Sequence, residues 1–380
     1  MQPFGPTEKA IFLDRPNRFT LLCRLHGKAV KAFLPNPGRL WELLLPGARV
    51  YLERVVRPNA ALPYTAVAIE KGNRPVMVHT QRANDLVESL LRRDLIPSLE
   101  GAEILKREAS HGRSRFDFLL QKATEKIILE VKSCTLFGER VAMFPDAVTL
   151  RGKRHLEELA DLSREGMRGA VLFLIGTPSA EHFLPEYHTD FEFSRALLAA
   201  RRRLTILPLA VEWSEDLLPA PQPRLLHIPW DLVEREARDR GSYILLLRLP
   251  KRIRLPIGRL GTIPLRPGYY LYVGSARANL TQRIGRHRRL RKRSFWHVDY
   301  LRAHTHFRHA LPIRSQEDLE CQVAEALREI SDWSVPGFGS SDCSCLSHLF
   351  GMKKDPLRSP DFLSLLQYFR MDRLFAQPAP

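Results

Sequence analysis

Several features that would move this chain out of the ordinary globular class are missing. Five cysteines among 380 residues are too few for a disulfide framework. No apolar run approaches the roughly 20 residues of a membrane-spanning helix. The opening Met1-Gln2-Pro3-Phe4-Gly5-Pro6 lacks the basic start and apolar core of a secretory signal. Together these absences predict a cytoplasmic protein with no membrane partner. Neither a Gly-rich phosphate loop nor a dinucleotide-binding fingerprint occurs, so nucleotide-driven motors and redox enzymes have no support. Internal repeats and long low-complexity segments are absent as well. With 44% hydrophobic and 27% charged residues, wholesale disorder is excluded.

Acid is the scarce charge. Lys+Arg number 59 against 42 Asp+Glu, a formal net charge of +17. A chain this basic is biased towards polyanions, with DNA the first partner to consider and RNA the second. The excess is uneven: from Gly241 onward there are 23 basic and only 11 acidic residues. The first 80 residues read as short strands between turns, the pattern of a small barrel. The middle third alternates helices with apolar strands and suggests an α/β core. The proline-rich Leu217-Leu218-Pro219-Ala220-Pro221-Gln222-Pro223 reads as an extended connector. A new module opens at Gly241.

Two constellations carry chemistry. Asp117 lies in the predicted strand Phe116 to Leu120, and Glu130 and Lys132 lie in the next, Ile127 to Lys132. Side chains alternate along a strand, so Glu130 and Lys132 share a face. If the strands pair, Asp117 joins them, and two converging carboxylates suit Mg²⁺ or Mn²⁺. A lysine alongside can position a water and offset phosphate charge. The solvated-strand reading of the same residues stays open at this point. Glu88, on the preceding helix, reads as a solvated residue. Arg151 and His155 share a helix face and are candidates for phosphate contact.

This region resembles the PD-(D/E)xK nucleases, and more closely the sugar fermentation stimulation protein A family. The likeness rests on Leu34-Pro35-Asn36-Pro37-Gly38-Arg39-Leu40, on Ser114-Arg115-Phe116-Asp117-Phe118, on Glu130-Val131-Lys132-Ser133-Cys134 and on the run Phe144 to Leu156. It implies an OB-like β-barrel over residues 1–80 and a nuclease-like α/β domain over 81–225, then a linker at 226–240. It further implies DNA binding, with Asp117 and Glu130 as metal ligands, Lys132 as the catalytic lysine, and Arg39 beside the nucleic acid.

In the second constellation, Gly241-Ser242-Tyr243 opens one strand and Tyr272-Val273-Gly274 ends another. Arg283 and His287 are four apart on a helix that Asn279 can cap, and Glu320 lies on a later helix. Tyrosines, an arginine, a histidine and one carboxylate suit phosphodiester cleavage with a single metal. Core packing of the tyrosines is the alternative reading. The stretch 241–351 is similar to GIY-YIG nucleases, and within them to a subgroup of unknown function, DUF123. The likeness implies catalytic roles for Tyr243, Tyr272, Arg283 and His287, and a metal at Glu320. The 29-residue step from Tyr243 to Tyr272 exceeds the compact hairpin of typical members and threatens to displace Tyr243. From Arg277 to Arg293 there are eight Arg/Lys and no acid. Arg277, Arg286, Arg288, Arg289, Arg291, Lys292 and Arg293 therefore predict a phosphate-tracking face.

Cys321, Cys343, Cys345 and His348 offer zinc ligands, but Cys343-x-Cys345 is tighter than usual, and buried thiols are the expected reading. The tail, residues 352–380, has near-helical apolar spacing from Phe362 to Phe375 and should pack on a domain or partner. The expected function is a metal-dependent DNA nuclease with two centres. The competing expectation is a non-catalytic DNA-binding regulator that keeps nuclease folds as platforms.

Overall fold

Polar–apolar alternation over the first third of the chain folds into strands. The computed structural model of the chain describes residues 3–56, 60–177 and 179–376. Residues 1–2 of the expected N-terminal barrel and 377–380 of the expected tail lie outside the described residues. The chain forms two units. The first comprises Met1–Glu186 with Glu192–Trp230, and the second Tyr187–Phe191 with Asp231–Pro380.

In the first unit, strands β1 (Thr7–Asn17), β2 (Thr20–Leu25), β3 (Lys28–Phe33), β4 (Arg49–Arg54), β5 (Tyr64–Lys71) and β6 (Arg74–Met77) form a sheet in the order β3-β2-β1-β4-β5-β6. β3 also pairs with β5, Ala32 opposite Tyr64, which closes the first five strands into the expected OB-like barrel. Helix α1 (Thr80–Leu91) buries Ala83, Leu86, Val87, Leu90 and Leu91 on one stripe. Strands β7 (Glu103–His111), β8 (Ser114–Lys122) and β9 (Glu125–Cys134) follow. A small sheet is built from β10 (Leu136–Phe137), β11 (Val141–Phe144) and, across helix α2 (Leu150–Asp161) and strand β12 (Arg168–Ile175), β13 (His182–Pro185). Helix α3 (Phe191–Ala200), β14 (Leu204–Ala210) and β15 (Arg224–Leu225) complete the unit.

The main sheet has the order β15-β14-β12-β9-β8-β7. Its centre is parallel, with β12 between β9 and β14. Both faces are buried, as the continuous apolar run Ala170 to Ile175 predicts. Ile128, Val171 and Phe173 pack with Leu156, Leu159 and Phe193 of the helices on one side. Leu129, Leu172 and Leu174 pack with Leu86 and Leu90 of α1 on the other. Glu130 and Lys132 follow Ile128 at two-residue steps, and the hydrogen bond from α2 described below confirms that Glu130 faces that helix. The proline-rich segment does not end the unit: Leu225 pairs with Leu209 just beyond it.

The second unit adds helix α4 (Trp230–Glu236), of which Asp231 onward belongs to it, then β16 (Gly241–Leu249) and the hairpin β17 (Ile253–Pro256) with β18 (Thr262–Leu265). Strand β19 (Gly268–Ala276), helices α5 (Leu280–Arg288) and α6 (His297–Arg302), β20 (His306–Arg314), α7 (Glu320–Ile330), β21 (Trp333–Ser334), β22 (Leu349–Met352) and α8 (Pro360–Arg370) follow. The sheet is antiparallel in the order β20-β16-β19-β22-β21. Phe362, Leu363, Leu366 and Phe369 of α8 are buried, and α8 packs against α7 and β20 of its own unit.

One glycine sets how closely α2 approaches the sheet. A Cβ at Gly169 would stand 2.3 Å from the Leu159 carbonyl oxygen, a backbone atom that cannot step aside. Gly169→Ala should therefore lower stability by about 1–3 kcal/mol, the scale of overpacking, read as a shift of the first urea-unfolding midpoint.

Candidate functional site

The β8–β9 ladder runs from Lys122 opposite Glu125 to Phe118 opposite Leu129. Asp117 comes next, and its side chain takes over the pairing: Oδ2 accepts from the Val131 amide at 2.7 Å. Its Oδ1 accepts from Asn84 Nδ2 on α1 at 2.6 Å. Burial, reinforced by the charge of Glu130, raises the Asp117 carboxyl above its ordinary range. Glu130 is 5% exposed. Its Oε1 accepts from His155 Nδ1 at 2.7 Å and from Lys132 Nζ. Burial by itself would raise this carboxyl, but the His155 hydrogen bond and the Lys132 ammonium outweigh it and hold it below the ordinary value. Its other oxygen, Oε2, is buried without a hydrogen-bond partner among the described residues.

An uncompensated buried carboxylate oxygen is costly. Oxygen donors from Asp117 and Glu130 fit a hard divalent cation, which would take up that lone oxygen. Glu130 borders a cleft of about 640 Å³ that is also lined by Lys132, Asn84, Asp146, Arg151 and the Asn36–Gly38 turn. The expected convergence of Asp117, Glu130 and Lys132 is thus present. Glu88 points elsewhere, into ion pairs with Arg92 and Arg107. Asn84, one turn earlier on the same helix, is the residue that reaches Asp117.

Two expected phosphate contacts need correction. His155 is 1% exposed. The helix-face argument pairs it correctly with Arg151, whose Nε donates to His155 Nε2 at 3.2 Å, but the ring is turned inward onto Glu130. Of these two residues, Arg151 is the one exposed at the cleft. Arg39 is likewise engaged: its Nε donates to the Asp146 carbonyl at 2.5 Å, and its guanidinium lies 4.4 Å from the Trp41 ring centre. Asp146 anchors the Arg39 turn further, since its Oδ2 accepts from the Leu40 amide at 2.7 Å. Asp146 entered the sequence reading only within the matched run Phe144 to Leu156, with no role of its own, because its partner lies 106 residues away.

In the second unit the long step from Tyr243 to Tyr272 is absorbed by the β17–β18 hairpin. β16 pairs directly with β19, Tyr243 opposite Gly274. The tyrosine rings lie 6.4 Å apart. Gly274 is required by this packing, because a Cβ there would meet the Tyr243 hydroxyl at 2.5 Å. Tyr243 Oη hydrogen-bonds His287 Nε2 at 2.8 Å. Burial raises both phenols well above their ordinary range and lowers His287. These directions keep both phenols protonated at neutral pH and favour the uncharged form of His287. Arg283 lies 4.4 Å from the Trp296 ring centre. Glu320, at the start of α7, accepts from Ser275 Oγ and faces His348 Nδ1 at 3.1 Å. Tyr243, Tyr272, Arg283 and Glu320 line one pocket of about 340 Å³, with Trp296 and Asp342.

The basic face is smaller than the charge run implies. Asp299 lies six residues beyond the acid-free window and is buried. It accepts from both sides: Arg286 Nη1 at 3.0 and 3.1 Å, Lys292 Nζ at 2.6 Å, and the Phe295 and Trp296 amides. Arg286 and Lys292 are therefore structural partners of Asp299, which corrects their reading as phosphate contacts. Arg277, Arg288, Arg289, Arg291 and Arg293 remain exposed.

Burial would raise the Asp299 carboxyl, but contacts from His287, Lys292 and the two amides hold it well below the carboxylate range. A folded-state value below the unfolded one stabilises the fold above the unfolded pKa of about 4, and that contribution is lost as pH falls through the window beneath it. Asp299→Asn should flatten the acid limb of a melting-temperature profile. At neutral pH it should also cost about 3 kcal/mol, because Lys292 is left without its carboxylate.

Comparison with known proteins agrees with this architecture. Residues 13–78 match the SfsA N-terminal OB domain, residues 81–216 the sugar fermentation stimulation protein RE domain, and residues 242–369 the domain of unknown function DUF123. Over 217 residues the chain is 40% identical to a sugar fermentation stimulation protein homolog of Methanothermobacter thermautotrophicus, covering 56% of this chain and 90% of that one. A homolog from Natranaerobius thermophilus is 38% identical over 196 residues, covering 50% and 82%. The solved structure of Pyrococcus furiosus SfsA in complex with Ca²⁺ superposes with a TM-score of 0.56 at 29% identity, covering 60% of this chain and 99% of that one. No described helix is long and apolar enough to cross a membrane. An OB-like barrel, a nuclease-like α/β domain with its cleft at Glu130, and relatives at this identity lead to one assignment: the chain belongs to the sugar fermentation stimulation protein family and carries a DUF123 domain after the family's two domains.

Proposed function

We propose that the chain is a metal-dependent nuclease that hydrolyses DNA phosphodiester bonds. The observation that carries the reading is the buried Glu130 carboxylate beside Asp117, one oxygen held by His155 and Lys132 and the other without a hydrogen-bond partner among the described residues. Asp117 and Glu130 would hold Mg²⁺ or Mn²⁺, which when bound polarises the phosphate and acidifies a water. A Ca²⁺-bound relative supports a hard-cation site in this fold. Here His155 fixes the Glu130 rotamer and Asn84 fixes Asp117. Lys132 orients the attacking water and offsets charge growing on the phosphate. Arg151 stands at the cleft mouth to take a neighbouring phosphate.

The second pocket supports the same reaction class, with a GIY-YIG-like arrangement. Tyr243 can accept a proton from the attacking water as it passes its own to the neutral His287 Nε2. Arg283 stabilises the developing phosphate charge, and Glu320 would carry the cation. The exposed arginines Arg277, Arg288, Arg289, Arg291 and Arg293 supply backbone contacts.

Purified protein with Mg²⁺ or Mn²⁺ should cleave at least one substrate among single-stranded, duplex and branched DNA and RNA. With the second centre silenced by Arg283→Ala and Tyr272→Phe, Glu130→Gln or Lys132→Ala should cut the remaining rate by about 10²-fold or more, the scale of a lost charge stabiliser. DNA binding should persist in these variants. Binding without cleavage of any substrate would instead favour the non-catalytic DNA-binding regulator.

A further inference from the structure

The three cysteines of the second unit are not buried thiols. Cys321 is exposed, and Cys343 and Cys345 are partly so. Core packing therefore does not explain them, which corrects the expectation drawn from their spacing. The chain nevertheless gathers all three around one histidine. The Sγ atoms of Cys321, Cys343 and Cys345 and a ring nitrogen of His348 all lie within 4.8 Å of one another. Cys343 Sγ and His348 Nε2 are 3.4 Å apart. Tetrahedral zinc, with Zn–S about 2.3 Å and Zn–N about 2.0 Å, sets its ligand atoms roughly 3.5–3.8 Å apart. The cluster is already near the size of that coordination shell.

Its surroundings also match a metal site. Cys321 stands in the first turn of α7. Cys343, Cys345 and His348 come from the irregular segment between β21 and β22, which has little apolar anchoring beyond Val335 and Phe338. The ring of His348 has two nitrogens with separate tasks. Nε2 faces the thiols, while Nδ1 faces the Glu320 carboxylate at 3.1 Å. A carboxylate on the far nitrogen of a ligating histidine fixes its tautomer and strengthens it as a ligand.

We propose that Cys321, Cys343, Cys345 and His348 form a closed four-ligand zinc site that pins the segment 336–348 to the start of α7. Three thiolates and an imidazole leave no open position, so the ion is structural and takes no part in hydrolysis. The site carries a second consequence, which rests on the nuclease reading of the neighbouring pocket. Ser275 donates to one oxygen of Glu320, His348 Nδ1 stands 3.1 Å from the other, and Asp342, next to Cys343, lines that pocket. The zinc site thereby positions Glu320 and one pocket wall.

The test uses the full chain, and its readouts are independent of cleavage. Elemental analysis of protein purified without chelator should find about one zinc per chain, and Cys345→Ser should reduce it below about a tenth, since losing one thiolate opens the shell. Cys23→Ser, a buried thiol of the first unit, should leave the zinc in place. Cobalt added to the metal-stripped wild type should give the strong visible bands and sulfur charge-transfer absorption of a tetrahedral thiolate site, which covers the case of a variant that fails to fold. The proposal is overturned if the wild type holds no zinc and binds no cobalt, if its thiols are paired as a disulfide, or if zinc content is unchanged in Cys345→Ser. Loss of zinc in Cys345→Ser with Mg²⁺-dependent cleavage absent from the wild type would support the zinc site while removing the nuclease reading.

Discussion

A carboxylate taken out of water must be answered by a positive partner, and Glu130 is answered on one oxygen only. Lys132 and His155 satisfy Oε1, and Oε2 stays buried with no hydrogen-bond partner among the described residues. The fold is arranged around this imbalance. The parallel pairing of β9 and β12 buries the strand that carries Glu130, and Gly169 lets α2 settle close enough to the sheet for His155 to reach it. On the neighbouring strand, Asp117 ends the ladder by capping the Val131 amide, which leaves a second carboxylate beside the first. Removing the His155 contact would raise the cost of the charge, and removing the charge would leave His155 and Lys132 as the unmatched groups.

The second unit solves a similar problem in the opposite way. Asp299 is buried but saturated by Arg286, Lys292 and two backbone amides, so it has nothing left to offer a ligand. Its role is to set the geometry of a cationic loop. That loop brings Trp296 under Arg283, and the arginine is thereby held over the tyrosine pocket. One buried acid thus organises a site without belonging to it, whereas Glu130 belongs to the site it organises.

Strand alternation was enough to place Glu130 and Lys132 on one face, and the helical step of four paired Arg151 with His155 and Arg283 with His287. Neither rule says which face turns inward, and for that reason His155 read as a surface group. The barrel, the central sheet and the Tyr243–Tyr272 pairing were legible because apolar runs and family motifs mark them. β7 was not, since six of its nine residues are exposed and Ala109 alone is buried, which leaves no apolar alternation to read. Long-range partners were invisible for a related reason. Asp146 meets the Arg39 turn from 107 residues away, and Asp299 neutralises a basic run from outside its window. The cysteine cluster was misread because short spacing describes only two of its ligands, while Cys321 arrives from another element.

The central claim is that the bare oxygen of Glu130 belongs to a divalent-cation site. Calorimetric titration of the full chain with Mn²⁺, after saturating any thiolate site with zinc, tests it without requiring a substrate. The account predicts that Glu130→Gln binds about one equivalent fewer than the wild type, because one carboxylate ligand of a hard cation is gone. Identical stoichiometry and affinity in the two proteins would contradict it.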